Sequence, residues 1–459
     1  MAVILLLCSQ NGDSMRDFTS GNVTRQILQF SGPLVMASVL QNLYSIIDSI
    51  IVGRFLGKEA LAAVGASFPI IFTLISLVIG IGSGATTVVS QYFGAKNMVK
   101  VSQTIDTVFI FFVLAALVVS SLGIYFSEGL FLLIGLPAEI IPDAMIYMNI
   151  YLAGMVLLFA VSGIGSVLRG IGDSRTPLVI VAVAALLNVL LDLLFVLVMK
   201  WGIAGVAWAT VVSHGVALLG SIIYLNRNHP VVRFSIRTMR FSKSIFYDCT
   251  RIGLPTGLQQ SFVSLGMLAV MGIVTSFGTD AVAAYSAALR IDSFAKMPSL
   301  AFSSALASFT GQNIGANMEQ RIRAGLRSTL IISVLYSIFV SVVVLLAGKW
   351  VMQLFTTDAE VIALGHEYLV IVTSFYLFFS LMFTYTGLLR GAGATLVPMV
   401  ISFIMLWVLR VPLSYILADS IGITGIWWAL PLSWVVGFAA TWGYYLSGKW
   451  RNKGVIKTN

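Results

Sequence analysis

Read between its charges and its Gly/Pro breaks, the chain resolves into twelve long apolar stretches. They lie at about residues 30–53, 61–93, 104–126, 140–168, 177–199, 202–225, 245–277, 281–313, 324–347, 361–389, 397–418 and 423–447. Hydrocarbon offers no partners for backbone polar groups, so a spanning segment must satisfy its own, and a helix needs about twenty residues to cross. The expected fold is therefore all-α and integral to the membrane, with twelve transmembrane helices. Composition agrees: only 10% of residues are charged, against roughly 25–35% on a water-soluble surface. The longest connection, Asn226 to Ser244, is too short to hold a soluble catalytic domain.

A net charge of +9 would suggest a nucleic-acid partner in a soluble chain. In a membrane chain the position of the charges decides. With the N-terminus on the cytoplasmic side, twenty Lys and Arg fall inside and only Arg54, Lys58, Lys200 and Lys349 outside. Both termini are then cytoplasmic. The excess charge is a topology signal, and no nucleic-acid partner is expected.

The chain also repeats itself. A shift of 221 residues lays Gly57-Lys-Glu-Ala60 over Gly278-Thr-Asp-Ala281 and Gln91-Tyr-Phe-Gly-Ala95 over Gln312-Asn-Ile-Gly-Ala316. It also lays Leu168-Arg-Gly-Ile-Gly172 over Leu389-Arg-Gly-Ala-Gly393. At a shift of 220, Gly202-Ile-Ala-Gly205 meets Gly422-Ile-Thr-Gly425. Six spans per half is an even number, so the halves run in the same direction and form a parallel repeat, an arrangement used by transporters. The expected organisation is a disordered lead-in at 1–23, an N-lobe at 24–225, a basic cytoplasmic linker at 226–244, a C-lobe at 245–447 and a basic tail at 448–459.

Ionisable groups at bilayer depth cost about 2.5–3.5 kcal/mol each on insertion scales and mark function by default. Six qualify: Asp48, Asp192, Asp292, Arg290, Lys296 and Arg410. On the first helix Ser38, Gln41, Asn42, Ser45, Asp48 and Ser49 share one face. Helix five carries Asn188 and Asp192 at i, i+4, also on one face. Counted at about 1.5 Å per residue, Asp48 lies about 8 Å below the outer end of its helix. Asp192 and Thr210 lie about 12 Å below theirs. Two carboxylates close together in low dielectric cannot both stay ionised cheaply. With Asn188 and Thr210 they form an oxygen-rich set suited to H⁺ or Na⁺, and Asp48, Asn188 and Asp192 are the candidate Na⁺ ligands. The repeat-equivalent positions of Asp48, Asn188 and Asp192 are Ala269, Leu409 and Leu413, so ion coupling is expected in the first half alone. Asp292 and Lys296 are spaced for an internal salt bridge, which stands at even odds with a place in a substrate cavity.

Other motifs carry less. Gly80-Ile-Gly-Ser-Gly84 lies inside an apolar span with no strand before it, so close helix packing fits better than a nucleotide loop. Cys8 and Cys249 are too few for a zinc cage. No HExxH or Ser/His/Asp arrangement appears, so neither a cofactor nor an enzymatic activity is expected.

Asn42-Leu-Tyr-Ser-Ile-Ile-Asp48, Gly53-Arg-Phe-Leu-Gly57 and Ala60-Leu-Ala-Ala-Val64 resemble the first helix and loop of multidrug and toxin extrusion (MATE) transporters. The Gln91 and Gln312 segments and both Leu-Arg-Gly-x-Gly segments, ending in Pro177 and Pro398, fit the same family. The resemblance runs from about Gln26 to Lys449. It implies two six-helix lobes forming a cleft that opens alternately to either side. It also implies export of organic, cationic and amphipathic compounds in exchange for H⁺ or Na⁺, by a monomer in the lipid bilayer. Asp48, Asn188, Asp192 and Thr210 fall on positions similar to the N-lobe cation site of the prokaryotic DinF-like branch. Val263 stands where the NorM-like branch has a carboxylate on helix seven. Substrate contacts are expected from Gln41, Tyr44, Gln259, Gln260 and Asp292. Two alternatives remain: a flippase for a lipid-linked oligosaccharide or lipid precursor, which calls for a basic cleft, and an integral-membrane transferase, which calls for a catalytic group.

Overall fold

A computed structural model describes residues 15–229, 231–234, 237 and 239–456. Its helices are α1 (Val23–Ile51), α2 (Lys58–Gly94), α3 (Met98–Leu133), α4 (Ile141–Ala153), α5 (Met155–Gly170), α6 (Arg175–Leu193), α7 (Gly202–Asn228) and α8 (Lys243–Thr275). They continue with α9 (Thr279–Gly315), α10 (Glu319–Gln353), α11 (Ala359–Ser374), α12 (Tyr376–Gly391), α13 (Leu396–Phe403), α14 (Val411–Ile421) and α15 (Ile423–Leu446). The α4–α5 pair bends by 48° and the α11–α12 pair by 51°, and each pair occupies one expected span. Three π-helical turns extend or join helices: Val52–Leu56 after α1, Leu194–Val198 after α6 and Ile404–Arg410 between α13 and α14.

Among the described residues nine helices are long and apolar enough to cross a membrane, or eleven if each bent pair is one span. The twelfth expected span, α9, is 37 residues long but carries Arg290, Asp292 and Lys296, which lower its hydropathy. Long helices leave apolar side chains outward, as Leu335, Ile338, Phe339, Val342 and Leu346 do on α10. In water such a surface would aggregate, whereas in lipid it is the solvent-facing side.

The backbone repeats as the sequence does. The two bends fall at Gly154 and Phe375, which are equivalent under the 221-residue shift. Left-handed residues pair in the same way: Lys96 with Asn317, Gly172 with Gly393 and, at 220, Gly202 with Gly422. Gly57 (φ 92°, ψ −177°) and Gly278 (φ 95°, ψ −179°) begin α2 and α9. That region of backbone space is open essentially to glycine alone, which explains why both halves carry Gly there.

The chain forms two compact units, whose boundaries differ from the expected lobes. One unit holds Pro33–Gly257 and the short stretch ending at Asp17; the other holds Phe18–Gly32 and Leu258–Asn459. The boundaries thus fall within α1 and α8 rather than before them. The expected linker belongs to the first unit, where Val232 and Phe234 are buried in its core. Residues 1–14 of the expected disordered lead-in lie outside the described residues, but the rest of it is fixed. Phe18 is fully buried in the second unit, with its ring 5.2 Å from that of Phe30 and 5.6 Å from that of Phe309. Its N–H donates to Gln312 Oε1 (2.9 Å), and its carbonyl accepts from Asn313 and Arg321. An aromatic side chain that fills a pocket offsets the entropy of ordering its neighbours, a gain that the polar sequence around it did not signal.

His229 closes α7 at the start of the linker. Its Nδ1 accepts from the N–H groups of Val231 (3.3 Å) and Val232 (2.9 Å). Burial pushes its pKa down from 6.5 to about 4, so the folded chain holds the ring neutral. Stability from this contact is complete above the unfolded value near 6.5 and is lost as pH falls toward about 4. In detergent, the unfolding midpoint of the protein should decline across this window. In His229→Asn, which retains an acceptor without titrating, that part of the decline should vanish.

Candidate ion and substrate site

The first unit gathers the predicted cation ligands. α6 supplies Asn188 and Asp192, which are 2% and 0% exposed, and α7 supplies Thr210. Asn188 Nδ2 donates to Thr210 Oγ1 at 3.3 Å. The π-helical turn that follows Asp48 on α1 packs against the turn that follows Asp192 on α6, which brings the two carboxyl-bearing helix ends together. No donor reaches Asp48 Oδ1, Asn188 Oδ1 or either oxygen of Asp192. Four buried acceptor oxygens without a donor are costly. A proton held between the two carboxyls, or a cation among the four oxygens, removes that cost.

Local structure positions these groups. π-helical turns begin two residues after Asp192 and four after Asp48, and such turns recur at functional sites. The rest of the polar face of α1 is quieter than its pattern suggested. Ser38, Asn42 and Ser49 bond to carbonyls one turn back on their own helix, so they need no external partner. Asp48 alone on that face keeps a buried orphan oxygen.

Sequence reasoning missed Tyr147 and Tyr151 of α4, which form an aromatic pair in the same unit. Their rings lie 6.1 Å apart. Their spacing of i, i+4 was visible, but in a chain with 12% aromatic residues it did not stand out.

Next to this set a small, partly open recess lies in the first unit, with Gln41, Tyr44, Asn188 and His214 as its polar lining and Ile180, Val181 and Ala184 among its walls. Gln41 and Tyr44 are among the expected substrate contacts; His214 is not. It does bond to Thr210 O at 2.9 Å, yet it also faces the recess. The remaining predicted substrate residues lie in the second unit and do not line the recess. Gln259 is buried and donates to Ser402 Oγ at 2.6 Å. Gln260 is exposed. Asp292 is buried and paired with Lys296, the internal salt bridge that their spacing offered. A buried polar side chain takes the nearest partner on its own lobe, and spacing along one helix does not reveal partners on others.

The MatE family model matches residues 33–194 and again 255–416, so the repeat is recovered by two matches to one family. The chain is 34% identical over 436 residues to "Probable multidrug resistance protein YpnP" of Bacillus subtilis, covering 95% of this chain and 97% of that protein. It is 28% identical over 437 residues to a protein of Shewanella oneidensis named FAD transporter, covering 93% and 95%. Among solved structures it resembles one described as the outward-facing conformation of a multidrug resistance MATE family transporter of the MOP superfamily. There the TM-score is 0.88 at 23% identity, over 95% of this chain and 98% of that one. With two family matches spanning most of the chain and a full-length relative above 30% identity, the chain belongs to the MATE family.

Proposed function

We propose that this protein is a secondary active antiporter that exports organic, cationic and amphipathic compounds in exchange for H⁺ or Na⁺ by alternating access. The supporting observation is the set of four buried acceptor oxygens on Asp48, Asn188 and Asp192 that have no donor. Such a set is stabilised when loaded with a cation, so binding and release of that cation change the energy of the surrounding helices. Asn188 couples the two functions, because it belongs to the oxygen set and also lines the recess. Loading the ion therefore alters a wall of the cavity that the compound occupies. Outward-facing Asp48 and Asp192 take up the ion, which favours release of the compound; inward release of the ion lets new compound enter. The relatives named for multidrug resistance and export support an organic cargo. The positive-inside distribution supports an inner-membrane location with cytoplasmic termini, and the proposed unit of transport is the monomer.

Purified protein in liposomes should move ethidium when a pH gradient or a Na⁺ gradient is imposed. Whichever gradient drives uptake identifies the coupling ion. Movement that is equally fast with neither gradient would contradict antiport.

A further inference from the structure

The second unit carries a buried charge cluster of opposite sign to the carboxylates of the first. Asp292 and Lys296 of α9 form an ion pair, with side-chain exposures of 3% and 18%. Tyr376 Oη donates to Asp292 Oδ1, and Tyr368 Oη reaches Asp292 Oδ2 at 3.5 Å. That carboxylate is thus fully engaged. Arg410, 7% exposed, closes the π-helical turn between α13 and α14. Its Nε and Nη2 both donate to the neutral Ser433 Oγ, at 2.9 and 2.7 Å. Among the described residues Arg410 forms no ion pair.

Two permanent donors therefore face one carboxylate. Lys296 Nζ and the Arg410 guanidinium share the Trp434 ring, at 4.8 and 6.0 Å from its centroid. π faces soften a buried cation, but less than an anion partner does. A second, independent observation points the same way. Ser414, one turn beyond Arg410, and Trp427, which stacks on Tyr285, are both 0% exposed. Ser414 Oγ and Trp427 Nε1 have no partner. An indole N–H can only donate, and Arg410 supplies five N–H donors of which the serine uses few. The cluster lacks acceptors just as the first unit lacks donors.

We propose that this cluster is an oxyanion site, in which Arg410 and Lys296 receive a carboxylate or phosphate group of the carried compound and Ser414 and Trp427 add neutral donors. The planar guanidinium fork matches the geometry of either group, and Lys296, the more exposed cation, forms the entrance. The proposal rests on the transport reading only in naming the ligand as cargo. Compounds bearing an anionic group then fall within the range of this chain.

The test uses the full-length protein in nanodiscs of zwitterionic lipid, titrated with benzoate and, separately, with inorganic phosphate at constant ionic strength. Tryptophan fluorescence and the unfolding midpoint are the readouts. Benzoate should produce a saturable response in both. Arg410→Gln should weaken binding by about tenfold to a hundredfold, the scale of a lost charged hydrogen bond. Ser433→Asp should abolish the response while raising the unfolding midpoint, because it gives the guanidinium a carboxylate of its own. No saturable response in the wild type, or an undiminished one in both variants, overturns the site. Saturation by only one of the two anions supports the site and names the group that it takes. Failure of ethidium transport would instead count against the antiport reading and leave the binding result standing.

Discussion

Asp48→Asn should insert and fold like the wild type but lose gradient-driven ethidium export, by the roughly 5–150-fold that coupling energies of 1–3 kcal/mol support. In the wild type, Asp48 and Asp192 face each other with acceptor oxygens and no donor. An amide at position 48 brings its own N–H groups to Asp192, so the set is satisfied permanently and no longer needs the ion. The transporter is then held in its loaded state whatever the gradient. Asp192→Asn should behave alike, and the double variant should be little worse than either single one, since the two residues act as one unit. Sealed vesicles separate the two aspects of the prediction. Expression and a monodisperse elution profile report folding, and the response of ethidium to an imposed gradient reports coupling. Wild-type efflux by Asp48→Asn in such vesicles would remove the carboxylate pair from the mechanism.

Gly84→Ala should reduce the amount of folded protein sharply, although it adds a single methyl group. A Cβ at Gly84 would lie 2.2 Å from Cys249 O and 2.7 Å from Gly253 N. One turn earlier, a Cβ at Gly80 would lie 2.3 Å from the Cα and N of Gly257. Gly80 and Gly84 on α2 thus meet Gly253 and Gly257 on α8, backbone against backbone. In lipid no hydrophobic force drives helices together, so such close approach is a main source of association. Overpacking costs about 1–3 kcal/mol where side chains can yield; here the obstacle is backbone, and the helices must separate. Gly65→Ala on the same helix is the control, because nothing lies within 4 Å of its added Cβ. Detergent-solubilised yield and unfolding midpoint should fall for Gly84→Ala and stay level for Gly65→Ala. Equal behaviour of the two would show that the crossing tolerates a methyl group. The Gly80–Gly84 motif was read from sequence as close helix packing, and its partner glycines fit that reading.

Much of this architecture is local information, which is why the sequence carried it. Hydropathy over about twenty residues decides insertion one segment at a time, so the span limits come within seven residues of the helix ends. The repeat survives in turn chemistry for the same reason: Gly57 and Gly278 are needed by their own backbone angles, whatever surrounds them. The cation set was legible because a carboxylate in an apolar span is costly wherever it packs, and only a few positions bear one.

What the sequence by itself determined is thus the membrane class, the spans and the repeat, and it singled out Asp48, Asn188, Asp192 and Thr210 as the candidate set. Tertiary structure alone decided which polar groups are already spoken for. Gln259 and Asp292 looked available, but Ser402, Lys296, Tyr368 and Tyr376 occupy them. Arg410 stood among six ionisable groups at bilayer depth, yet among the described residues its hydrogen bonds go to a serine. Phe18, placed in a lead-in, proved to be a core residue of the second unit. Each of these outcomes depends on partners tens to hundreds of residues away. Burial charges a polar group for whatever its surroundings leave unpaired, and only the folded chain assembles those surroundings.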